Sequence, residues 1–146
     1  MNNKYAAAAL VLLAVPVFAG AAATQGTATA GTSTHVKRLL LDDTATRVLG
    51  KHDFAGTELV RSRSTGKVVG FDTFTGHVGR HDRVTYETAF AFKGGLLLVR
   101  LHPVGETPRY AGRVTGGTGA YRGATGTLSG RDLGDGNTRL TLRYQL

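Results

Sequence analysis

The chain has 146 residues, with 18 Lys and Arg against 10 Asp and Glu, which gives a formal net charge of +8. It contains no cysteine, which excludes disulfides, a cysteine nucleophile and a lipid-modified cysteine. The basic residues are spread along the chain without a basic block or an amphipathic basic helix. This distribution favours a solvated basic surface over nucleic-acid binding.

The start of the chain has the layout of a secretory signal peptide. Lys4 precedes an uncharged apolar run over residues 6–18, and small residues follow that run. A membrane helix needs roughly 20 apolar residues, so this run is too short to span a bilayer. Pro16 interrupts it as well. We therefore expect a secreted, extracellular protein.

The signal peptide is predicted at residues 1–23 and is followed by a flexible linker of small and polar residues at 24–34. Cleavage after Ala23 and cleavage after Ala30 both fit the small residues that a signal peptidase recognises. A single folded domain without a membrane anchor is predicted at residues 35–146.

The first half of this domain contains three segments that predict β-strands, at residues 36–41, 57–63 and 68–78. A fourth follows at residues 84–92, where Tyr86, Phe90 and Phe92 share one parity and form an inward-facing aromatic stripe. Glu87 has the opposite parity, which indicates an outward position. Asp72 shares the parity of Phe74, and the sequence does not decide whether its side chain points into the barrel or outward.

The second half of the domain predicts four more strands. The residues Lys93-Gly94-Gly95 indicate a tight hairpin turn into the apolar strand LLLVRLH. Strands at 110–115 and 124–130 follow, and strict alternation at 138–144 predicts the last one. Eight antiparallel strands in one small all-β domain favour a closed β-barrel, because closure removes exposed edges. A β-sandwich is the alternative.

The segment 113–130, RVTGGTGAYRGATGTLSG, resembles a signature shared by allene oxide cyclases and dirigent proteins. The matching positions are Val114, Gly116, Gly117, Gly119, Tyr121, Gly123, Ala124 and Gly126. Upstream, the segments VKRLLLDD, VVGFDTFTGHV and TYETAFAFKGG are similar in the same order. The resemblance implies an eight-stranded, allene oxide cyclase-like barrel over 35–146, of the small exported actinobacterial type.

Two other interpretations of the motifs are less favoured. The segment GGTGAYRG lacks the lysine and the following helix of a phosphate-binding loop, so its glycines are interpreted as structural. His77, His81 and His102 offer imidazoles, but the spacing of the first two crosses a glycine-rich strand end rather than a helix face. We predict neither a metal site nor a cofactor.

The resemblance implies a functional carboxylate at the end of the first strand. Alignment places Asp43 at that position, with Asp42 as the candidate if the register slips. A partly desolvated carboxylate at the mouth of an apolar barrel would have a raised pKa and could act as an acid or stabilise positive charge. Alternatively, the two aspartates solvate a strand end. Gly76 and Ala45 stand where the plant cyclases have cysteine and asparagine, so their water-holding set is incomplete here.

The aromatic residues Phe74, Tyr86, Phe90 and Phe92 are predicted to line a lumen that binds a small hydrophobic molecule. For any catalysis, the resemblance implies cyclisation or isomerisation, and the sequence leaves open whether the barrel is an enzyme. A lumen filled by side chains, in a non-catalytic secreted barrel, is the alternative. Association of scattered arginines with acidic cell-wall polymers is another. The oligomeric state is open, and the resemblance implies a homotrimer.

Overall fold

The computed structural model describes residues 33–146 of the chain. The predicted signal peptide at 1–23, both cleavage sites and most of the predicted linker lie outside the described residues, so these stay predictions. Within the described part of the chain, no helix has the length and apolarity of a membrane-spanning segment.

Eight strands form one closed antiparallel barrel in which each strand pairs with the next and the last pairs with the first. The strands are β1 (His35–Val48), β2 (Asp53–Ser62), β3 (Val68–Val78), β4 (Val84–Phe92), β5 (Gly95–Pro103), β6 (Arg109–Gly117), β7 (Thr125–Asp132) and β8 (Asn137–Gln145). Two short 3-10 turns occur at Arg80–Asp82 and Gly119–Tyr121. The all-β barrel prediction is therefore confirmed, and the β-sandwich alternative is wrong.

Strand β1 is longer than the sequence pattern predicts, because it continues past residue 41 to Val48. The polar residues after Leu41 break the apolar alternation, but their backbone groups still pair with β2. The pairing shifts between Asp43 and Ala45, as expected for a β-bulge. This bulge lies at the edge of the cavity described below.

Alternate residues of each strand point into the barrel, and their apolar side chains form the core. The buried members are Leu39, Leu41, Val60, Phe90, Leu97, Val99, Leu101, Val114, Tyr121, Ala124, Leu128, Leu140, Leu142 and Tyr144. We call the end that carries the β2–β3, β4–β5 and β6–β7 connections the closed end, and the opposite end the open end. Most of these core residues lie towards the closed end.

The closed end is filled by aromatic rings and one lysine. Tyr121, from the 3-10 turn, has its ring centroid 5.9 Å from those of Phe92 and Tyr144. The Lys37 amine lies 4.6 Å from the centre of the Phe92 ring, where the negative face of the ring attracts a cation. His35 stacks on Tyr144 at 5.3 Å. These contacts seal the barrel at that end.

A row of apolar residues crosses the outside of the barrel. The register places Leu59 of β2 opposite Phe71 of β3, Phe71 opposite Ala91 of β4, and Ala91 opposite Leu96 of β5. Phe71 is 55% exposed. In β2 and β3, large apolar side chains therefore point outward while their neighbours point into the barrel.

Candidate functional site

A cavity of about 250 Å³ opens into the barrel from the open end. At about 30 Å³ for each water molecule, this is room for roughly eight waters. Strands β1 to β6 and β8 contribute its walls. The lumen is therefore neither completely filled by side chains nor a wide channel. Eight strands enclose room for side chains or for one small ligand, and this cavity is of the second kind.

Four aromatic rings form one connected wall of the cavity, which we call the aromatic wall: Phe54, Phe74, Tyr86 and Tyr110. The Phe54 and Tyr86 ring centroids are 5.6 Å apart, and those of Tyr86 and Tyr110 are 6.0 Å apart. Both pairs have edge-to-face geometry, as the ring quadrupoles favour. Contacts of this kind hold the rings in place without a ligand.

Two glycines make room for this wall. A Cβ at Gly76 would collide with the ring of Phe54, and one at Gly56 would collide with the ring of Phe74. At Gly76, which the resemblance aligns with the plant cyclase cysteine, the space for a side chain is occupied by the ring of Phe54.

Two carboxyl groups face each other inside the cavity. Glu58 of β2 and Asp72 of β3 are direct partners across the strand pair, and both line the cavity. Asp72 is fully buried, at 0% exposure, and neither of its oxygens receives a hydrogen bond from a donor within residues 33–146. Two ionised carboxylates cannot satisfy each other, so the contact requires a proton on one of them.

Burial raises the pKa of both groups, because it disfavours the charged form of a carboxyl. Burial raises the pKa of Glu58 to about 7, even though the contact with Asp72 lowers it. Burial raises the pKa of Asp72 to about 8, with a further contribution from the negative charge of Glu58. Near neutral pH the pair therefore holds a shared proton, and the two carboxyl groups titrate together.

Two further carboxylates lie nearer the open end. Asp43 lines the cavity and is exposed, and its Oδ1 accepts a hydrogen bond of 3.3 Å from the Thr46 hydroxyl. Asp132 is half-buried, and its charge contributes to the raised pKa of Glu58. Burial raises the pKa of Tyr110 to about 12, with further contributions from Tyr86, Asp132 and Glu58, and this keeps the Tyr110 hydroxyl protonated.

The structure separates the two aspartates proposed from the resemblance. Asp43 reaches the cavity mouth, whereas Asp42 points to the outside of the barrel and pairs with Arg61 at 2.5 Å. The desolvation expected at Asp43 is not found, because this residue is exposed. Desolvation occurs deeper in the barrel, at Glu58 and Asp72.

Three of the four aromatic residues predicted to contact a ligand line the cavity: Phe74, Tyr86 and Phe90. Phe92 does not, because it lies nearer the closed end, where its ring stacks on Phe90 at 5.9 Å. The signature residues 116–126 belong to the closed end as well. In the structure these residues have a structural role, because Tyr121 packs against Phe92 and seals the barrel there.

The other titratable candidates lie outside the cavity. The Nδ1 atom of His77 is 2.7 Å from Oδ1 of Asp53 in an exposed pair. Glu87 points outward, as predicted, and pairs with Arg100 at 2.5 Å. Over residues 33–146 there is no group of three or more His, Asp or Glu side chains arranged to hold a metal ion.

A larger concavity of about 800 Å³ lies on the outer face, beside Ala45, Ala55, Thr73 and Leu98. It is open to solvent along the sheet, and of its three charged residues, Arg47, Glu87 and Arg100, the last two pair with each other. The inner cavity is smaller, but it contains the buried carboxyl pair and the aromatic wall. It is therefore the stronger candidate for a site.

Sequence reasoning missed Glu58 and left Asp72 undecided. The available signal was parity, since Glu58 shares the parity of Val60 and Asp72 that of Phe74. That signal is ambiguous because the adjacent residues Leu59 and Phe71 are apolar and have the opposite parity. Only the register between β2 and β3 brings the two carboxyl groups together.

No protein-family model and no curated protein sequence matches the chain. Among solved structures, a pterocarpan synthase dirigent protein is 15% identical, with a TM-score of 0.65, over 84% of this chain and 96% of its own. Pyocyanin demethylase is 16% identical, with a TM-score of 0.64, over 75% of this chain and 99% of its own. The Diels Alderase AbmU from Streptomyces koyangensis is 13% identical, with a TM-score of 0.56, over 81% and 70%.

At these identities the similarity concerns the fold alone. It agrees with the closed antiparallel topology and with the resemblance seen in the glycine-rich segment. The chain therefore has an eight-stranded barrel of the kind found in dirigent proteins and in the Diels Alderase.

Proposed function

We propose that this protein is a secreted barrel that binds a small, largely apolar molecule in its open-end cavity and catalyses a proton-dependent isomerisation or cyclisation. One observation carries the proposal: the buried Asp72 carboxyl faces Glu58 in a cavity lined by the aromatic wall. The names of the structurally similar proteins include a synthase and a Diels Alderase, which supports small-molecule chemistry in a barrel of this kind.

The carboxyl pair suits a reaction that moves a proton and needs no other reactant. Glu58 is the partly exposed member of the pair, so it can donate its proton to one position of the substrate and, once ionised, accept a proton from another position. Asp72, buried behind it, shares the proton with Glu58 between turnovers. The product then has the atoms of the substrate, and the pair again holds one proton. Isomerisation and intramolecular cyclisation both have this balance.

Binding can be tested with toluene as a probe, followed by NMR chemical shifts. We expect shifts at residues of the aromatic wall, and we expect Thr138→Trp, which fills the cavity wall, to abolish them. Thr127→Trp is the matched control, because Thr127 is exposed on the outer face. Equal binding by both variants would mean that the probe sits elsewhere.

Catalysis can be tested with a molecule that the protein itself carries. Native mass spectrometry of protein from a culture supernatant would identify such a ligand, which is then incubated with the protein in D₂O. We expect deuterium in the isomerised or cyclised product and its loss in Asp72→Asn, with binding retained. If Asp72→Asn turns over at the rate of the unmodified protein, the carboxyl pair has no catalytic role.

The export part of the proposal is supported by the sequence of residues 1–23 alone. Intact-mass measurement of the protein from culture supernatant is the direct test. We expect a mass that corresponds to a start at residue 24 or residue 31. A cell-retained protein with an intact N-terminus would contradict export.

Binding to an acidic polymer is a second candidate, and the placement of the acids favours it. Four of the ten acidic residues lie in or near the cavity: Asp43, Glu58, Asp72 and Asp132. The outer surface is therefore more basic than the net charge of +8 suggests. Sedimentation with cell walls should decrease as salt rises, because screening weakens contacts between exposed charges. Sedimentation that is unchanged by salt would count against this candidate.

A further inference from the structure

We propose that the cavity selects a compact organic cation, such as a quaternary or protonated amine attached to an apolar group, over a neutral molecule of the same shape. This inference rests on the proposed function, because it specifies the chemical class of the molecule bound at the same site. It is argued from the charges, the buried polar atoms and the rings that face the cavity.

The titratable side chains around the cavity are all acidic, so any charge they carry is negative. Asp43, Glu58 and Asp72 line it, from β1, β2 and β3. Asp132 of β7 lies close enough to affect the pKa of Glu58 and of Tyr110. None of the described lining residues is Lys, Arg or His. In a protein with a net charge of +8, this is a local reversal of sign.

The burial of the Asp72 carboxyl adds a second observation to this charge count. Asp72 is fully buried beside the cavity, and apart from a proton shared with Glu58 its oxygens have no hydrogen-bond donor among the described residues. Once that proton is lost, two ionised carboxylates in such a place are costly unless a cation compensates them. A cationic ligand in the cavity would supply that compensation.

The aromatic wall adds a second attraction for positive charge. A cation near aromatic ring faces gains about 0.5–2 kcal/mol from the ring quadrupoles, with the larger values in dry sites. Tyr86 and Tyr110 also carry hydroxyl groups, which burial keeps protonated by raising the pKa of each tyrosine. The wall therefore offers π-electrons and neutral oxygens, and no competing cation.

Cation binding should release a proton from the carboxyl pair. Without a ligand, Glu58 and Asp72 share a proton, whereas a bound cation favours the doubly ionised form. Asp43 and Asp132 oppose that ionisation, while Leu101, Thr138 and Leu140 face the pair from β5 and β8 without a charge. Affinity for a permanent cation should therefore rise with pH and level off above about pH 8, where the free pair has already ionised.

The test compares phenyltrimethylammonium with tert-butylbenzene, which has the same shape and no charge. Both are titrated by NMR into the secreted protein at pH 8. We expect the cation to bind at least about tenfold more tightly, which corresponds to about 1.4 kcal/mol. We also expect Asp72→Asn and Glu58→Gln each to reduce that preference several-fold. Glu87→Gln, on the outer face, is the matched control and should leave the preference unchanged.

Each outcome bears on a different statement. If tert-butylbenzene binds as tightly as the cation, the cation preference is wrong and the proposed binding function survives. If neither probe binds and toluene does not bind either, both proposals fail. If the cation binds but Asp72→Asn and Glu58→Gln keep the full preference, the carboxyl pair does not select charge, and the inference is overturned.

Discussion

Burying Asp72 without a hydrogen-bond donor has an energetic cost that its neighbour Glu58 offsets only when a proton lies between them. The folded protein therefore retains a proton that the unfolded chain has already lost above about pH 4, since ordinary carboxyl pKa values lie near 4. By linkage, the free energy of unfolding must fall as pH rises, until the folded pair has also ionised near pH 8.

Asp72→Asn should reduce this pH dependence. An asparagine amide can donate to an ionised Glu58, so no shared proton is needed. At pH 8 we expect the variant to be more stable than the unmodified protein, on the order of 1–3 kcal/mol, with little difference at pH 4. Urea unfolding across this pH range measures it, with Glu87→Gln as the control. If the free energy of unfolding of Asp72→Asn fell with pH as steeply as that of the unmodified protein, Asp72 would not carry the retained proton.

Gly76→Ala should be destabilising, because the added Cβ would collide with the ring of Phe54. We expect a loss of about 1–3 kcal/mol in the free energy of unfolding, as is usual when a packed interior is overfilled. Combining it with Phe54→Leu should recover part of the loss, since the smaller side chain leaves space. Strictly additive effects in the double-mutant cycle would show that the two positions do not touch.

At the level of elements, the glycine-rich connection between β6 and β7 closes one end of the barrel. Gly119 has φ of 57°, and a Cβ there would also collide with the carbonyl oxygen of Gly94. Gly105, in the β5–β6 connection, has a similar φ of 59° but open space around it. The two glycines therefore share backbone strain and differ in crowding.

Gly119→Ala should cost more stability than Gly105→Ala. Both substitutions place a side chain at positive φ, which costs about 1–2 kcal/mol. Only the first also displaces the β4–β5 turn at Gly94, so we expect its melting temperature to fall several degrees further. Thermal unfolding of the two variants measures the difference. Equal losses would argue that the connection is loosely packed.

The strands could be predicted to a large extent from alternation and glycine punctuation, whereas the chemical site could not. The hairpin at residues 93–95 and the inward stripe of Tyr86 and Phe90 are as predicted, because each depends on local spacing. Glu58 and Asp72 contradict the local pattern, since Leu59 and Phe71 lie outside while the acids lie inside. Violations of this kind are expected at functional sites.

On the scale of the whole molecule, pairing between β1 and β8 closes the barrel, and strand pairing and burial hold it without disulfides, since the chain has no cysteine. Leu142 of β8 is fully buried, whereas Leu98 of β5 is 37% exposed on the outer face. Replacing leucine by alanine at each of these two positions therefore compares the contribution of interior packing to stability with that of the outer surface.

Leu142→Ala should lower the free energy of unfolding by about 2–5 kcal/mol, because it leaves a cavity where the barrel closes. Leu98→Ala should cost less than about 1 kcal/mol. Denaturant unfolding, with and without a reducing agent, measures both, and the reducing agent should have no effect. A small loss at Leu142 would indicate that the closing pair contributes little to stability.

The two ends of the barrel also differ in charge. The closed-end connections contain Arg63, Lys67, Lys93 and Arg122 and no acidic residue. At the open end, three basic residues in the connections are balanced by three acidic ones, Asp82, Glu106 and Asp135, and the carboxylate of Asp43 lies at the cavity mouth. Charges separated in this way give the molecule an electric dipole along the barrel axis. Near an anionic surface such a molecule turns its closed end towards that surface. The cavity mouth then faces the surrounding solution, where a diffusing ligand can enter it.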